Sequence, residues 1–365
     1  MAVKKSIVQG LNEKDMQAVV NTYTLNAFYW PNFFPTKFTP TLTWKALATK
    51  LGIPVAADVV AFNSRSPRKT RRVVERKQGD IPKIDVAYDK EETDINEYNN
   101  ILHYAGTDEG AKAIVEWVYG DSEACWNGVN ARLEWLALRA LSTGKIVLDS
   151  TNNEGIITEE AVTFLVPEDQ QSGSTVIVNA ENAATAKPIT KIKAIKKAAR
   201  KKGIVLNYMF MDPDTFDNIA GTAEAQKFCA NWVIRAAGMS DVAPSLDSFN
   251  AAMKANKLPE VHIIESFVTI QIKGVDTVVE PWETGVVLFT EGIVQGNTYY
   301  GPLADESVDS EATKVKREHV LIKKFSNDDP VVETTKGSAN AFPAWGNADR
   351  AWQWDTLHTG FLENA

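Results

Sequence analysis

The chain has 365 residues, 44% hydrophobic, 24% charged and 9% aromatic, the balance of a folded globular protein and neither a fibrous nor a disordered one. Thirty-nine Lys and Arg against 47 Asp and Glu give a net charge of −8, which excludes a general nucleic-acid binder and leaves any basic partner surface local. No run reaches the roughly 18 consecutive apolar residues of a membrane span, and the start MAVKKSIVQGLNEKD has no apolar signal core, so the expectation is a protein made and kept in a cytoplasm.

Residues 1–45 begin with a short polar helix-like stretch. The segment NAFYWPNFFPTKFTPTLTWKAL follows, with Phe28, Tyr29, Trp30, Phe33, Phe34, Phe38 and Trp44 set around Pro31, Pro35 and Pro40. Three prolines so close together exclude a regular helix. Aromatic surface left in water costs about 25 cal/mol per Å², so this arm must lie on its own body or on a neighbour's.

From Arg65 to Lys77 the chain carries seven cations (Arg65, Arg68, Lys69, Arg71, Arg72, Arg76, Lys77) and one acid, Glu75. From Asp80 to Glu97 it carries seven acids, Asp85 and Asp89 among them, and two lysines. Gln78-Gly79-Asp80 reads as a turn, and Ile84, Val86 and Tyr88 alternate at strand period. The pattern predicts a long hairpin with a positive and a negative limb, poor in apolar residues and marginal alone. It needs a partner surface, the parent domain or another subunit; nucleic-acid binding by the basic limb is the rival reading.

Thr107 to Thr143 predicts one long helix. Thr107 and Asp108 suit the N-cap, Gly144 suits the C′ position, and Trp126, Val129, Leu133, Leu136 and Ala140 recur at steps of three and four. KIVL, AVTFLV and STVIVN read as strands. KPITKIKAIKKAARKKG predicts a second helix with Pro188 at its first position, an Ile189, Ile192, Ile195, Ala199 stripe, and a face of Lys and Arg without an acid. That face is either solvated, set against an acidic neighbour, or set against nucleic acid. IVLNYMFM then leads into DPDTFDNIAG, a strand before a helix start, and SLDSFNAAMKAN, VHIIESFVTIQIKG and VVLFTEGIVQGNTYY follow as a helix and strands. Clustered helices and strands without regular βαβ alternation make the fold class α+β.

Chemistry-bearing motifs are absent. Cys125 and Cys229 lie far apart and read as core residues, the four histidines lack metal-ligand spacing, and neither GxxxxGK[ST], GxGxxG after a strand, GxSxG nor HExxH occurs. No catalytic residue, metal or cofactor is predicted. An α+β hydrolase using an acidic pair such as Glu159 and Glu160 is the enzyme alternative.

A charged hairpin, a long helix and an aromatic N-terminal arm in one chain resemble the major capsid proteins of tailed bacteriophages, with the Hong Kong 97 fold, and within them the phage lambda major head protein family. FPTKFTPTLTWKALATKLGIPVAADV, ARLEWLALRALSTGKIVL, NYMFMDPDTFDNI, Pro281-Trp282 before GVVLF, and DPVVETTKGSANAFP carry the resemblance in order along the chain. It implies an N-terminal arm at 1–45, an E-loop at 46–104, a P-domain with its spine helix at 105–182, an A-domain at 183–315, and a P-domain return with the C-terminal tail at 316–365. It also implies pentamers and hexamers in a closed icosahedral shell around double-stranded DNA, assembled in the bacterial host cytoplasm with scaffolding and portal proteins, and a decoration protein as a further candidate partner. An encapsulin-like compartment shell is the near alternative. In such a shell the E-loop lies over the next subunit, which assigns intersubunit contact to Arg65, Arg68, Lys69, Arg71, Arg72, Arg76, Lys77, Asp85 and Asp89, together with Phe33, Phe34 and Phe38 of the arm. No Lys–Asn cross-link is expected, and Trp345, Trp352 and Trp354 mark a further candidate contact.

Overall fold

A computed structural model describes residues 4–8, 11–48, 75–104, 107–155, 160–233 and 243–362. The chain forms two compact units, one of Met1–Trp44, Gln78–Leu136 and Asn297–Ala344, the other of Lys45–Lys77, Ala137–Gly296 and Trp345–Ala365.

In the first unit, helix α1 (Glu13–Val20) is capped by Asn12, whose side chain accepts from the Asp15 N–H at 2.9 Å, and it buries Met16 and Val20. The aromatic segment does what its composition demands, on its own chain. Pro31 sits in the first turn of α2 (Trp30–Phe33), and Trp30, Phe33 and Phe34 are buried. Strand β1 (Thr36–Phe38) follows, and in β2 (Thr43–Ala48) the Trp44 ring stacks on Phe342 at 5.4 Å.

Most of the predicted positive limb lies outside the described residues, and among those described the predicted turn at Gln78-Gly79-Asp80 is not formed. Strand β3 (Glu75–Asp80) pairs with β2, and β4 (Lys83–Lys90) pairs antiparallel with a strand near the other end of the chain. Gln78-Gly79-Asp80 lies inside β3, where the glycine serves close approach: a Cβ there would stand 2.8 Å from the Trp44 indole nitrogen. The acidic stretch after β4 is helix α3 (Glu92–Leu102), whose Asp94 side chain accepts from the Glu91 N–H at 3.1 Å.

Helix α4 spans Asp108–Thr143, 36 residues and about 54 Å, without interruption at Gly120 or Gly128. The Thr107 hydroxyl accepts from the Gly110 N–H at 3.1 Å, and Gly144, at φ 76°, closes the other end with its N–H to the Ala140 carbonyl at 2.9 Å. The predicted apolar stripe is buried, but so is a polar one: Asn130 and Glu134 are fully enclosed. Glu134 accepts the backbone N–H groups of Tyr29 and Trp30 at 3.1 and 2.7 Å, and so fixes the start of α2.

After α4 come β5 (Lys145–Leu148), β6 (Glu160–Thr163), which pairs with it, and β7 (Gln171–Ser172). STVIVN forms no strand. It runs irregularly along the C-terminal segment, with the Ser174 and Val178 N–H groups donating to the His358 and Thr356 carbonyls, each at 2.8 Å. Helix α5 (Pro188–Lys201) buries Ile189, Ile192, Ile195 and Ala199, as its spacing predicts, and the Glu224 carboxylate receives its first free N–H groups from Ile189 and Thr190. Strand β8 (Tyr208–Met211) leads into α6 (Pro213–Ala220), capped by Asp212. Helices α7 (Ala223–Val233) and α8 (Leu246–Ala255) precede β9 (Glu260–Ile263), and β10 (Val268–Ile272) and β11 (Val275–Val279) form a separate hairpin.

Buried β12 (Val286–Thr290) and β13 (Gly296–Gly301) are followed by α9 (Ala304–Ser307), β14 (Thr313–Arg317), β15 (Val320–Asp328), the fifteen-residue β16 (Val331–Trp345) and β17 (Trp352–Asp355). The largest sheet has the order β1-β13-β16-β15-β14 with β4 also on β16, a five-stranded sheet has the order β7-β17-β12-β8-β9, and β2-β3, β5-β6 and β10-β11 are two-stranded. Trp345, Trp352 and Trp354, expected at a further contact, are buried in the chain's own core.

At the β14–β15 turn His319 is 1% exposed, among Trp30, Trp126 and Tyr300. Asn130 donates its amide N–H to the Trp126 carbonyl, so its Oδ1 accepts the His319 Nε2–H at 3.0 Å; Nδ1 has no partner. Burial, then the Arg317 charge, push this imidazole down to about 4. The unfolded chain, near 6.5, therefore binds the extra proton first. The contribution is complete above about pH 6.5 and is lost as the pH falls toward about 4, a loss of roughly 3 kcal/mol. Urea unfolding at pH 7, 5.5 and 4 is expected to show this slope in the parent and not in His319→Gln. Leu133→Ala or Leu136→Ala is expected to lower stability by about 2–5 kcal/mol; unchanged melting would place that face of α4 in solvent.

Candidate assembly surfaces

Arg65, Arg68, Lys69, Arg71 and Arg72 lie outside the described residues; Arg76 and Lys77 lie on β3. The acids of β4 are engaged within the chain. The Asp85 carboxylate meets Lys83 at 2.8 Å and Lys336 at 3.1 Å, and Asp305 lies 4.0 Å from each of those lysines and 3.7 Å from Lys323. Burial raises the Asp85 carboxyl, but hydrogen bonds from Lys83, Ser338 and Lys336 outweigh it and hold the group below the usual range. Asp89 accepts from the Thr334 hydroxyl at 2.6 Å, and Lys90 pairs with Asp121. These are part-exposed pairs, each of order 0–1 kcal/mol, so a neighbouring chain can exchange them at little cost.

Of the three phenylalanines assigned to contact, Phe33 and Phe34 have lost their water-accessible surface to their own chain, whereas Phe38 is 54% exposed. Phe38 sits on β1, the outermost strand of its sheet, edge-on to Tyr300 at 5.5 Å, and Leu42 nearby is 46% exposed. An outer strand with exposed apolar side chains invites pairing unless it is covered.

A second exposed apolar element lies in and after VHIIESFVTIQIKG, which the sequence marks as strand without naming a hairpin. The structure divides it, and β10 turns back into β11 through Lys273 and Gly274, at φ 52° and 76°. Two successive positive φ values are those of a type I′ turn, and the Lys-Gly dipeptide between valine- and isoleucine-rich runs was the available signal. On this hairpin Phe267, Val275 and Val278 are 59%, 64% and 67% exposed. In the same unit, α5 exposes Lys193, Lys197 and Lys201, whereas part-buried Lys191 donates to the Gly173 carbonyl at 2.9 Å and Lys202 pairs with Asp169 at the end of the helix.

Among the described residues no group of three or more His, Cys, Asp or Glu is placed to hold a metal ion. Glu159 of the acidic pair lies outside them. Burial pushes the Cys125 and Cys229 thiols up to about 12 and about 11, the reverse of what a thiolate nucleophile requires. The arrangement is one of surfaces and paired charges.

A family model described as phage major capsid protein E matches residues 47–354. A search of curated proteins found no match. Among solved structures, the chain is similar to a prophage protein of E. coli CFT073 described as a capsid protein, with 16% identity over 96% of this chain and 100% of that one and a TM-score of 0.58. It is also similar to a phage-related protein of Bordetella bronchiseptica RB50, with 9% identity over 96% and 98% of the two chains and a TM-score of 0.50. At such identities the likeness is one of fold, the Hong Kong 97-like fold of phage capsids. A family match over so much of the sequence, on a chain that carries this fold, makes the protein a member of the phage major capsid protein E family, a shell-forming component of the virion.

Proposed function

We propose that copies of this chain, grouped as pentamers and hexamers, close an icosahedral shell around the double-stranded DNA genome of a tailed bacteriophage. The observation that carries the reading is the family match, which runs from residue 47 to residue 354. Closure of a shell from one kind of subunit needs heterologous contacts, in which one surface of a copy meets a different surface of the next. The β1 edge with Phe38 and Leu42 and the β10–β11 hairpin with Phe267 and Val278 are surfaces of that kind, apolar and small.

Within this reading residues 1–45 form the arm, 46–104 the E-loop, 105–182 with 316–365 the P-domain and tail, and 183–315 the A-domain. The cations from Arg65 to Lys77 serve between subunits, because their own stretch has few apolar residues with which to hold them against the parent chain. Scaffolding and portal proteins direct assembly in the host cytoplasm, and the finished shell offers its outer face to a decoration protein. The subunit's role is structural.

Electron microscopy of the purified protein is expected to show shells, capsomers or tubes as concentration rises or scaffolding protein is added. A monomer at every concentration would refute the proposal. The double variant Arg71→Glu/Arg72→Glu is expected to keep the parent's melting temperature and to lose most particle formation in the same images. Normal particles from it would remove the basic segment from the contact.

A further inference from the structure

We infer that the exposed face of α5 is a phosphate-contact surface for the double-stranded DNA held inside the shell; the inference rests on the proposed role of the shell as a DNA container. The helix sets Lys193, Lys197 and Lys201 in successive steps of four, with Lys196 and Arg200 beside them. Lys257, just beyond the end of α8, brings a further cation: after partial burial, Arg200 and Lys257 push the Lys196 ammonium below its ordinary range. Among the described residues none of these six forms a salt bridge, and α5 itself carries no acid.

Like charges one turn apart weaken a helix, so the row costs stability that a mixture of signs would have avoided. The cost stands on a chain with eight more acids than bases, where compensating carboxylates are plentiful in the sequence and absent from this helix. The composition of the face separates two kinds of anionic partner. Protein interfaces are depleted in lysine and rely on aromatic or arginine anchors in a desolvated centre. Five of the six cations here are lysines, and the exposed residues between them on α5 are Ala194 and Ala198, too small to anchor anything. Lys193 lies over the Phe228 ring at 5.1 Å and Lys196 is partly buried, while Lys197, Arg200 and Lys201 are exposed, and a row of cations on one face suits a DNA backbone, which offers a charge at about every 1.7 Å of its axis and rewards contact by counterion release, whatever the base sequence.

The protein, kept unassembled so that added DNA can reach α5, is titrated with a fluorescent 30-base-pair duplex at a series of salt concentrations and read by anisotropy. Log affinity is expected to fall linearly with log salt. In Lys193→Gln/Lys197→Gln/Lys201→Gln the slope is expected to be shallower by about 2.7, at about 0.9 per lost phosphate contact, and in Lys197→Gln alone by about 0.9. Arginine at the same three positions is expected to keep the parent's slope, and all variants are expected to form shells. An unchanged slope in glutamine variants that fold and assemble overturns the inference and leaves the container reading standing. A triple glutamine variant that fails to assemble while keeping the parent's slope also overturns it, and assigns the face to another copy of the chain. Absence of shells from the unaltered protein would defeat the container reading, and the inference with it.

Discussion

The first unit depends on how closely α4 lies on its sheet, and that closeness is set by side chains that are missing. A Cβ at Gly337 of β16 would stand 2.8 Å from the Cys125 Cβ, and one at Gly128 of α4 would stand 3.4 Å from Val86 of β4. Val86 and Gly337 are cross-strand partners, so the helix crosses the sheet at one point where both sides give way. A larger side chain at Gly337 meets backbone and Cβ atoms, which cannot swing aside, and would lift the helix. With the crossing fixed, Trp126, Asn130 and Glu134 recur at steps of four toward the middle of the unit, where Asn130 orients His319 and Glu134 holds the start of α2. A polar stripe in a core is tolerated because these partners donate hydrogen bonds to the oxygens of Asn130 and Glu134.

Much of this was legible in the sequence, and what was not has a common cause. The extent and caps of α4, the start of α6, and the buried stripe of α5 follow from signals within a few residues of one another, and those local signals held. The partner of β4 is β16, some 250 positions away, and no local pattern names it. Gln78-Gly79-Asp80 has turn composition, yet its glycine answers to the Trp44 indole across a strand pair. STVIVN has strand composition, yet it binds backbone groups of the C-terminal segment without entering a ladder. Of the three candidate phenylalanines, Phe38 is the exposed one; Phe33 and Phe34, five and four positions earlier, face inward because Pro31 and the short α2 turn them there.

Charge shows the same separation between sequence and space. The acids after Asp80 look like one limb of a charged hairpin, but in the fold they divide among different partners. Asp85 goes to lysines on β4 and β16, Asp89 to a threonine of β16, and Asp94 to the capping box of α3. Strand pairing with β16 decides the first two, because register places Asp85 opposite Ser338 and Asp89 opposite Thr334. The lysines of α5 have no such cross-strand neighbours, since a helix packed through one stripe leaves its opposite face to whatever lies outside the chain.

The burial of the aromatic arm changes how a shell built from this chain must be held together. If Trp30, Phe33, Phe34 and Trp44 were anchors on a neighbour, a few contacts would carry most of the association energy, and a subunit joined wrongly would be slow to leave. Those side chains are buried within the subunit, so on the proposed assembly intersubunit affinity falls to smaller apolar elements such as the β1 edge and the β10–β11 hairpin, and to exposed charges. Contacts of that size are individually weak and reversible. A closed surface in which every copy makes several of them is nevertheless stable, because losing one subunit requires breaking all of its contacts at once. Weak individual joints are also what allow a misplaced copy to dissociate before the surface closes around it, so the inward turn of the arm favours correct closure.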